Sequence, residues 1–460
     1  MNVSRLTCAT AALVAALWVP RLAARPQTPQ LGGVPAPAPA SAMPKTLPWS
    51  AQIDVREGWL AKHHALLLEM MRKHNISMWI VVNEEFHDDP LTEYVAPARV
   101  YTGNRDIFVF VDAGDAGLKK FAVTGYSEES LKKFFETWDD PRPAKEVLKE
   151  LFEKYQPKTI GLGIGAARGV QRTLTHVSWQ FLSDAMGPEA TKRFVPVGDL
   201  IEDYLATRIP DEFATYEQMV LATEILTHRA LSNEVITPGK TTVGDIRRWL
   251  YDQIRANYYT TWFQPDVRLQ RRGMADQTSR GFLAVPSESL VVQPGDVLHI
   301  DFGITYMGLN TDWQKMAYVL RAGETDAPAG LKAAMANTNA LQDAVTSNAR
   351  PGRTGGEVYN LAMEEMKRQG IDAKIYSHPI GAQGHGLGAS IDYRAGERAS
   401  MHAERALVNG TYLSVELNAR TAVPEWDGQR VFVMMEDDAY LTPEGYKYFR
   451  PRQTSWYLIH

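Results

Sequence analysis

The sequence predicts an α/β (α+β) protein in two consecutive folded regions, the second of them a pair of related halves. Three observations lead there. Between Ser50 and Asp203, amphipathic helical stretches alternate with short β-branched or aromatic runs, the pattern of helices laid against a sheet. Beyond about Arg208 the helical stretches lengthen, and acidic residues begin to interrupt the apolar runs. A segment is also echoed within that second region. ITPGKTTVGDIRRWLYDQ from Ile236 and ARPGRTGGEVYNLAMEEM from Ala349 both run Pro-Gly-basic-Thr (Pro238 to Thr241, Pro351 to Thr354), then an acidic residue, then a helical stretch of similar length. A repeat of this size points to two α/β halves about a pseudo-twofold, with a site on their shared sheet.

Taken in order, the chain opens with MNVSRLTCATAALVAALWVPRLAA, in which Arg5 precedes an apolar run from Leu6 to Val19 and then small residues. This is the pattern of a secretory signal peptide over residues 1–24, too short to span a bilayer comfortably; an uncleaved anchor is the competing reading. The expected location is periplasmic or secreted, with no membrane contact after cleavage. Cys8, the single cysteine, falls inside this segment. The mature protein then has no disulfide, and no thiol to serve as ligand or nucleophile. Residues 25–48 are rich in Pro, Ala and Gly and read as an extended linker.

Folded structure is expected from Trp49, with a first domain over 49–205 and a second over 206–460. In the first, Arg56 to Lys73 reads as an amphipathic helix, and SMWIVVNE, DIFVFVDAG, KFAVTG and TIGLGIG as strands. The glycines of TIGLGIG do not have the spacing of a dinucleotide fingerprint. In the second, a long helix is expected over Asp211 to Val235, and Thr242 with Asp245 forms a candidate capping box. The net charge of -5 is spread along the chain, and without clustered Lys and Arg there is no case for a nucleic-acid partner.

Four carboxylates and one imidazole stand out in the second domain. Asp301 ends the apolar run LHID, Asp312 follows GLNT, Glu416 lies in LSVELNA, and Glu436 lies in VFVMMEDDAYLT. His385 sits between glycines in IGAQGHGLGASID. Ionised carboxylates on buried strands need partners, and carboxylates gathered without cations repel one another and rise in pKa. A divalent metal resolves the conflict, and hard oxygens with an imidazole suit Mn, Fe, Co or Zn. The alternative is that each acid is paired separately with Arg or Lys, and that His385 is satisfied within its loop.

The order Asp, Asp, His, Glu, Glu, with Asp301 and Asp312 in D-x-G…G-x-x-x-D, GHGLG around His385 and MEDDAYLT around Glu436, resembles the pita-bread metallopeptidases. That family includes methionine aminopeptidase, aminopeptidase P and prolidase, with creatinase as a metal-free relative. The resemblance covers about Arg208 to the C-terminus, and the preceding domain is similar to the creatinase-like α/β domain of aminopeptidase P and prolidase. It implies two divalent metal ions (Mn, Co or Zn) held by Asp301, Asp312, His385, Glu416 and Glu436, and a homodimer. It implies further that a metal-bridging hydroxide cleaves peptide bonds adjacent to proline, with Glu416 handling its proton.

The match has gaps. The family has a histidine somewhat under twenty residues before the first aspartate, and Gly281 to Gly295 contains none; the nearest is His299. A second follows the ligand histidine by seven residues, where Asp392 stands. A third falls near Gly381, and Met434 takes the place of an arginine. His378 and Asp392 are therefore the candidates for substrate-handling catalytic roles, with Tyr306 and Tyr393 as pocket neighbours. The gaps leave open a metal-dependent amidohydrolase acting on a small non-peptide C–N bond, or a non-catalytic binding protein on the same fold.

Overall fold

A computed structural model describes residues 42–460 except 127, 139–141, 166–168, 275–277, 280–281 and 393–402. The candidate signal peptide, most of the linker and Tyr393 lie outside the described residues. No described helix is long and apolar enough to cross a membrane.

The chain enters through α1 (Trp49–Lys73), seven residues before the expected start. Burial along this helix begins only at Trp59, so its first turns carry no apolar stripe for a sequence reading to find. Five strands follow: β1 (Met78–Glu84), β2 (Arg105–Asp112), β3 (Leu118–Val123), β4 (Ile160–Leu162) and β5 (Phe194–Pro196). They form one mixed sheet in the order β3-β2-β1-β4-β5, antiparallel through β3, β2 and β1 and parallel from β1 to β5. The parallel pairings need crossover helices, supplied by α2 (Ala144–Tyr155) and α3 (His176–Met186). Both faces of the sheet are covered. Trp79, Val81, Phe108 and Phe110 pack on the side of α1 and α4 (Gly198–Ala206), and Met78, Ile80, Ile107 and Val109 on the side of α2 and α3. That explains the near-continuous apolar runs of β1 and β2.

The longer helices that follow are α5 (Pro210–Ala230), α6 (Val243–Ala256), α7 (Ala329–Asn348) and α8 (Gly355–Gln369). The helix α5 stops before the expected Val235. There Ser232 Oγ turns back to donate to the Arg229 carbonyl (2.8 Å) and Asn233 Nδ2 donates to the Ile236 carbonyl (3.3 Å), a local competition that ends helices. The strands are β6 (Asp266–Gln270), β7 (Val297–Phe302), β8 (Trp313–Val319), β9 (Asp372–Ile375), β10 (His378–Pro379) and β11 (Tyr412–Ser414). After them come β12 (Leu417–Ala422), β13 (Arg430–Met435), β14 (Asp438–Thr442), β15 (Gly445–Tyr448) and β16 (Tyr457–Ile459). One sheet runs β16-β8-β7-β6, a second β9-β12-β13, and a third β10-β11-β14-β15. A two-way bridge between Gln314 and Glu436 (3.2 Å each way) joins β8 to the end of β13.

The two echoed segments are built alike. Thr242 and Thr354 are the N-caps of α6 and α8, accepting from the N–H of Asp245 (3.1 Å) and Glu357 (3.2 Å). The acidic side chains return to the cap N–H at 2.9 and 2.7 Å, two complete capping boxes. Gly239 (φ 80) and Gly352 (φ 86) turn the chain ahead of each cap and donate to Val292 and Leu407. The equivalence therefore runs from Gly239 to Gly352 but from Thr242 to Thr354. The first copy holds one extra residue, and matching Thr241 with Thr354, as the letters suggest, is one position out.

Candidate metal centre

All four carboxylates singled out in the sequence lie on or beside strand ends where the sheets meet. Asp301 is on β7, Asp312 immediately precedes β8, Glu416 lies between β11 and β12, and Glu436 follows β13. The close return of the chain from Asp301 to Asp312 depends on Gly303. A Cβ there would fall 1.8 Å from the Thr311 carbonyl oxygen, so no other residue fits without opening the turn.

Three overlapping groups of donor atoms lie within 4.8 Å of one another: Asp301, Asp312 and Glu436; His378, Glu416 and Glu436; Asp312, His378 and His385. The sequence reading gave the ligand's place among the acids to His385. The structure puts His378 deeper in the nest. Its Nε2 lies 3.4 Å from Glu436 Oε1, 3.5 Å from Asp312 Oδ2 and 3.7 Å from Glu416 Oε2. His385 is the exposed member of the three groups. Its ring stands edge-on to His378 at 4.7 Å between centroids and to Trp262 at 5.0 Å. The glycine before it, Gly384, is what admits Trp262, whose ring carbons would lie 2.2–2.4 Å from a Cβ. Asp392 is buried, and the N–H of the preceding Ile391 bonds to Ser377, beside His378; it belongs to none of the three donor groups among the described residues. Tyr306 OH accepts from the Leu47 N–H (2.8 Å), against the incoming chain.

The orientation of His378 follows from its neighbours. Its Nδ1 is 3.0 Å from the Pro379 carbonyl, and because a carbonyl can only accept, Nδ1 carries the proton. In the neutral ring, Nε2 is then a bare lone pair aimed at three carboxylates, and it is aligned for a hydrogen bond with none of them. Either the proton of an imidazolium or a metal cation has to stand between. Burial alone would lower the imidazole pKa, but Glu436 and Glu416 outweigh it and raise it to about 9. For Glu436, burial pushes upward, but His378, Ser414 and Gln314 hold it below its usual range. Burial, reinforced by Glu436, raises Asp301, Asp312 and Glu416 well above ordinary carboxylates. Asp301 Oδ1 is a buried acceptor with no hydrogen-bond donor. An orphaned carboxylate oxygen, an orphaned imidazole nitrogen and mutually repelling acids are a donor set suited to a hard or borderline divalent cation.

Residues not singled out in the sequence complete the surroundings. Ser414 Oγ donates to Glu436 Oε1 (2.6 Å). Gln314 Nε2 donates to Glu416 Oε1 (2.6 Å) and Glu436 Oε2 (2.8 Å), and its Oε1 meets His299 Nε2 at 2.9 Å. His299, the nearest histidine to the gap before Asp301, is fully buried. Behind the acids, Lys315 Nζ bonds the Glu436 carbonyl and Asp437 Oδ1, both at 2.7 Å. The available signal was strand alternation: Gln314 follows Asp312 by two and so shares its face.

Paired sheets with an acidic and imidazole nest between them define a metal-dependent hydrolase of the pita-bread class. Residues 218–443 match the model of metallopeptidase family M24; that region is an M24 metallopeptidase domain, and it makes the chain a peptidase. Membership implies divalent metal ions and peptide substrates. No curated protein sequence matches the chain. Among solved structures, it is similar to an X-Pro aminopeptidase from Thermotoga maritima MSB8 (18% identity, 85% of this chain and 99% of that one, TM-score 0.63). A Xaa-Pro dipeptidase from Bacillus anthracis (18%, 87% and 100%, TM-score 0.64) and dipeptidase PepE from Mycobacterium ulcerans (16%, 87% and 98%, TM-score 0.61) share the fold as well.

Proposed function

We propose that this protein is an exported two-metal peptidase that cleaves peptide bonds next to proline, with the roles of the two histidines exchanged relative to the sequence reading. His378 joins Asp301, Asp312, Glu416 and Glu436 in holding the ions, and His385 faces the substrate. The observation that carries this is the position of His378 Nε2, 3.4–3.7 Å from three acids, with the ring held from its other side by the Pro379 carbonyl. The exchange also restores one expected feature. His385 follows His378 by seven residues, the interval that the resemblance sets between the ligand histidine and the next.

Two bound divalent ions would acidify water and polarise a peptide carbonyl. Glu416, at 16% side-chain exposure against 5% for Asp312 and 1% for Glu436, is the acid most open to solvent of these three. It takes the proton of the attacking water and passes it toward the leaving nitrogen. His385 donates a hydrogen bond to the substrate from the exposed side, and Trp262 beside it forms an apolar wall suited to a proline ring. Asp392 keeps its expected role as hydrogen-bond partner of a substrate amine or of a neighbouring histidine. Export rests on the N-terminal sequence.

The test is metal content per chain and hydrolysis of Xaa-Pro dipeptides and longer Xaa-Pro peptides, after chelation and reloading with Mn, Co or Zn. His378→Ala is expected to fall from two equivalents to one or none. His385→Ala is expected to keep its metal and lose on the order of 100-fold in rate, as for a positioned proton-transfer group. The reverse outcome would return the ligand role to His385. A second reading, a metal-dependent amidohydrolase on small amides, is favoured by Met434 and by the absence of histidine from Gly281 to Gly295. Turnover of N-acyl compounds with none of any Xaa-Pro peptide would select it.

A further inference from the structure

Gln314 donates to both glutamates of the nest, and it touches one oxygen of each. Its Nε2 lies 2.6 Å from Glu416 Oε1 and 2.8 Å from Glu436 Oε2. The opposite oxygens, Glu416 Oε2 and Glu436 Oε1, are those that face His378. Metal-holding carboxylates can only accept, so the end of the amide nearest them is the NH2 group, with one hydrogen for each acid. Its oxygen then faces His299, and since that oxygen can only accept, His299 Nε2 carries the proton (2.9 Å). The amide cannot flip without setting its oxygen against two carboxylates and an N–H against the imidazole N–H. All of this is buried: Gln314 is 1% exposed and His299 0%.

We infer that the His299–Gln314 pair is a positioning clamp for the metal nest, an inference that rests on the metal reading of the site. His299 fixes which way the amide faces. The amide ties back one oxygen of each glutamate and leaves the other on the side of His378, where it would be free for a cation. The clamp thereby sets the spacing and the orientation of the two acids. A Gln–His pair costs the site no charge, so the acids keep their full charge for the cation, which a Lys or Arg in the same place would neutralise.

The experiment uses the full chain, freed of metal by chelation and titrated with Mn2+ and Co2+ by calorimetry. The absorption of the Co2+ form reports coordination geometry, and thermal melting of the metal-free protein controls for folding. Gln314→Met, similar in length but without donors, is expected to fold and to bind metal about 10–100-fold more weakly with an altered Co2+ spectrum. His299→Phe is expected to act in the same direction. His299→Gln, whose amide nitrogen reaches about as far as the imidazole Nε2, is expected to restore most of the affinity. Wild-type affinity and an unchanged spectrum in Gln314→Met would overturn the clamp. If that variant does not fold, equal metal binding by His299→Phe and wild type would overturn it instead. A wild type that binds no cation at all would overturn the metal reading itself, and the clamp with it.

Discussion

Lys315 has no route to water. Its side chain is 1% exposed, and Nζ lies 2.7 Å from Asp437 Oδ1, 2.7 Å from the Glu436 carbonyl and 3.7 Å above the Trp313 ring. Replacing it by Met removes the ammonium but keeps a chain of similar length, so the principal loss is the partner of a buried carboxylate. Breaking a buried ion pair from one side costs roughly 3–5 kcal/mol. Asp437 would keep one donor, Gln342 Nε2 at 2.8 Å, which places the expectation in the lower end of that range, about 3–4 kcal/mol. For a unit the size of the second domain, each kcal/mol moves the melting point by about 2–4 °C, so Lys315→Met should melt about 6–16 °C lower. The assay is urea and thermal unfolding of chelated protein, since a bound cation would add its own stabilisation. The double variant Lys315→Met/Asp437→Leu removes both charges and should recover much of the loss, because the desolvation of the pair disappears with it. A single variant within about 1 kcal/mol of wild type, or a double variant less stable than the single, would refute the reasoning.

Three further outcomes are expected. Thr242→Ala and Thr354→Ala should each cost about 1 kcal/mol of stability in denaturant unfolding, with nearly additive effects, as two separate N-caps of the repeated halves would. His64 is pushed down to about 3 by burial and by Lys120, with its Nε2 on the Val95 carbonyl at 3.0 Å. Its neutral form belongs to the fold, so its contribution is complete above pH 6.5 and is lost as pH falls below that value. About 2 kcal/mol should go between pH 6.5 and 5, at 1.36 kcal/mol per unit, and the wild-type minus His64→Gln difference in unfolding free energy should show that slope. Gly384→Val should displace Trp262, whose ring fills the space a Cβ needs; hydrolysis should fall by about tenfold or more while metal content, read by elemental analysis, stays at the wild-type value.

The features of this molecule that could be read from the letters are those where a physical period or a chemical need repeats. The apolar runs of β1 and β2 and the capping box at Thr242 follow directly from burial and from unsatisfied helix N–H groups. The four acids were legible because carboxylates in apolar strands demand a partner. The histidine is less legible, because His378 and His385 both stand among the donor groups. His385 drew attention through its glycines, and Gly384 and Gly386 serve close approaches by Trp262 and by the Pro379 carbonyl. His378 is oriented by the carbonyl of the following proline, which has no counterpart in any periodicity. Gln314 and His299 could not be joined from sequence, because their contact runs between neighbouring strands of one sheet, and a register is needed to see it.

The loop from Ile380 to Leu387 also belongs to two cores at once. Ala382 and Leu387 pack into the same cluster as Leu67, Trp79 and Tyr204, beside the five-stranded sheet. Tyr94 OH lies within hydrogen-bonding reach of the carbonyls of Gly308 and Ala382, while Ile380 packs with Tyr216, Trp313 and Tyr412. The amides around His385 should therefore exchange with deuterium at rates tied to the opening of the N-terminal sheet. On heating, the enzyme would then lose turnover when its first hundred and fifty or so folded residues let go, even while the metal-binding strands remain intact.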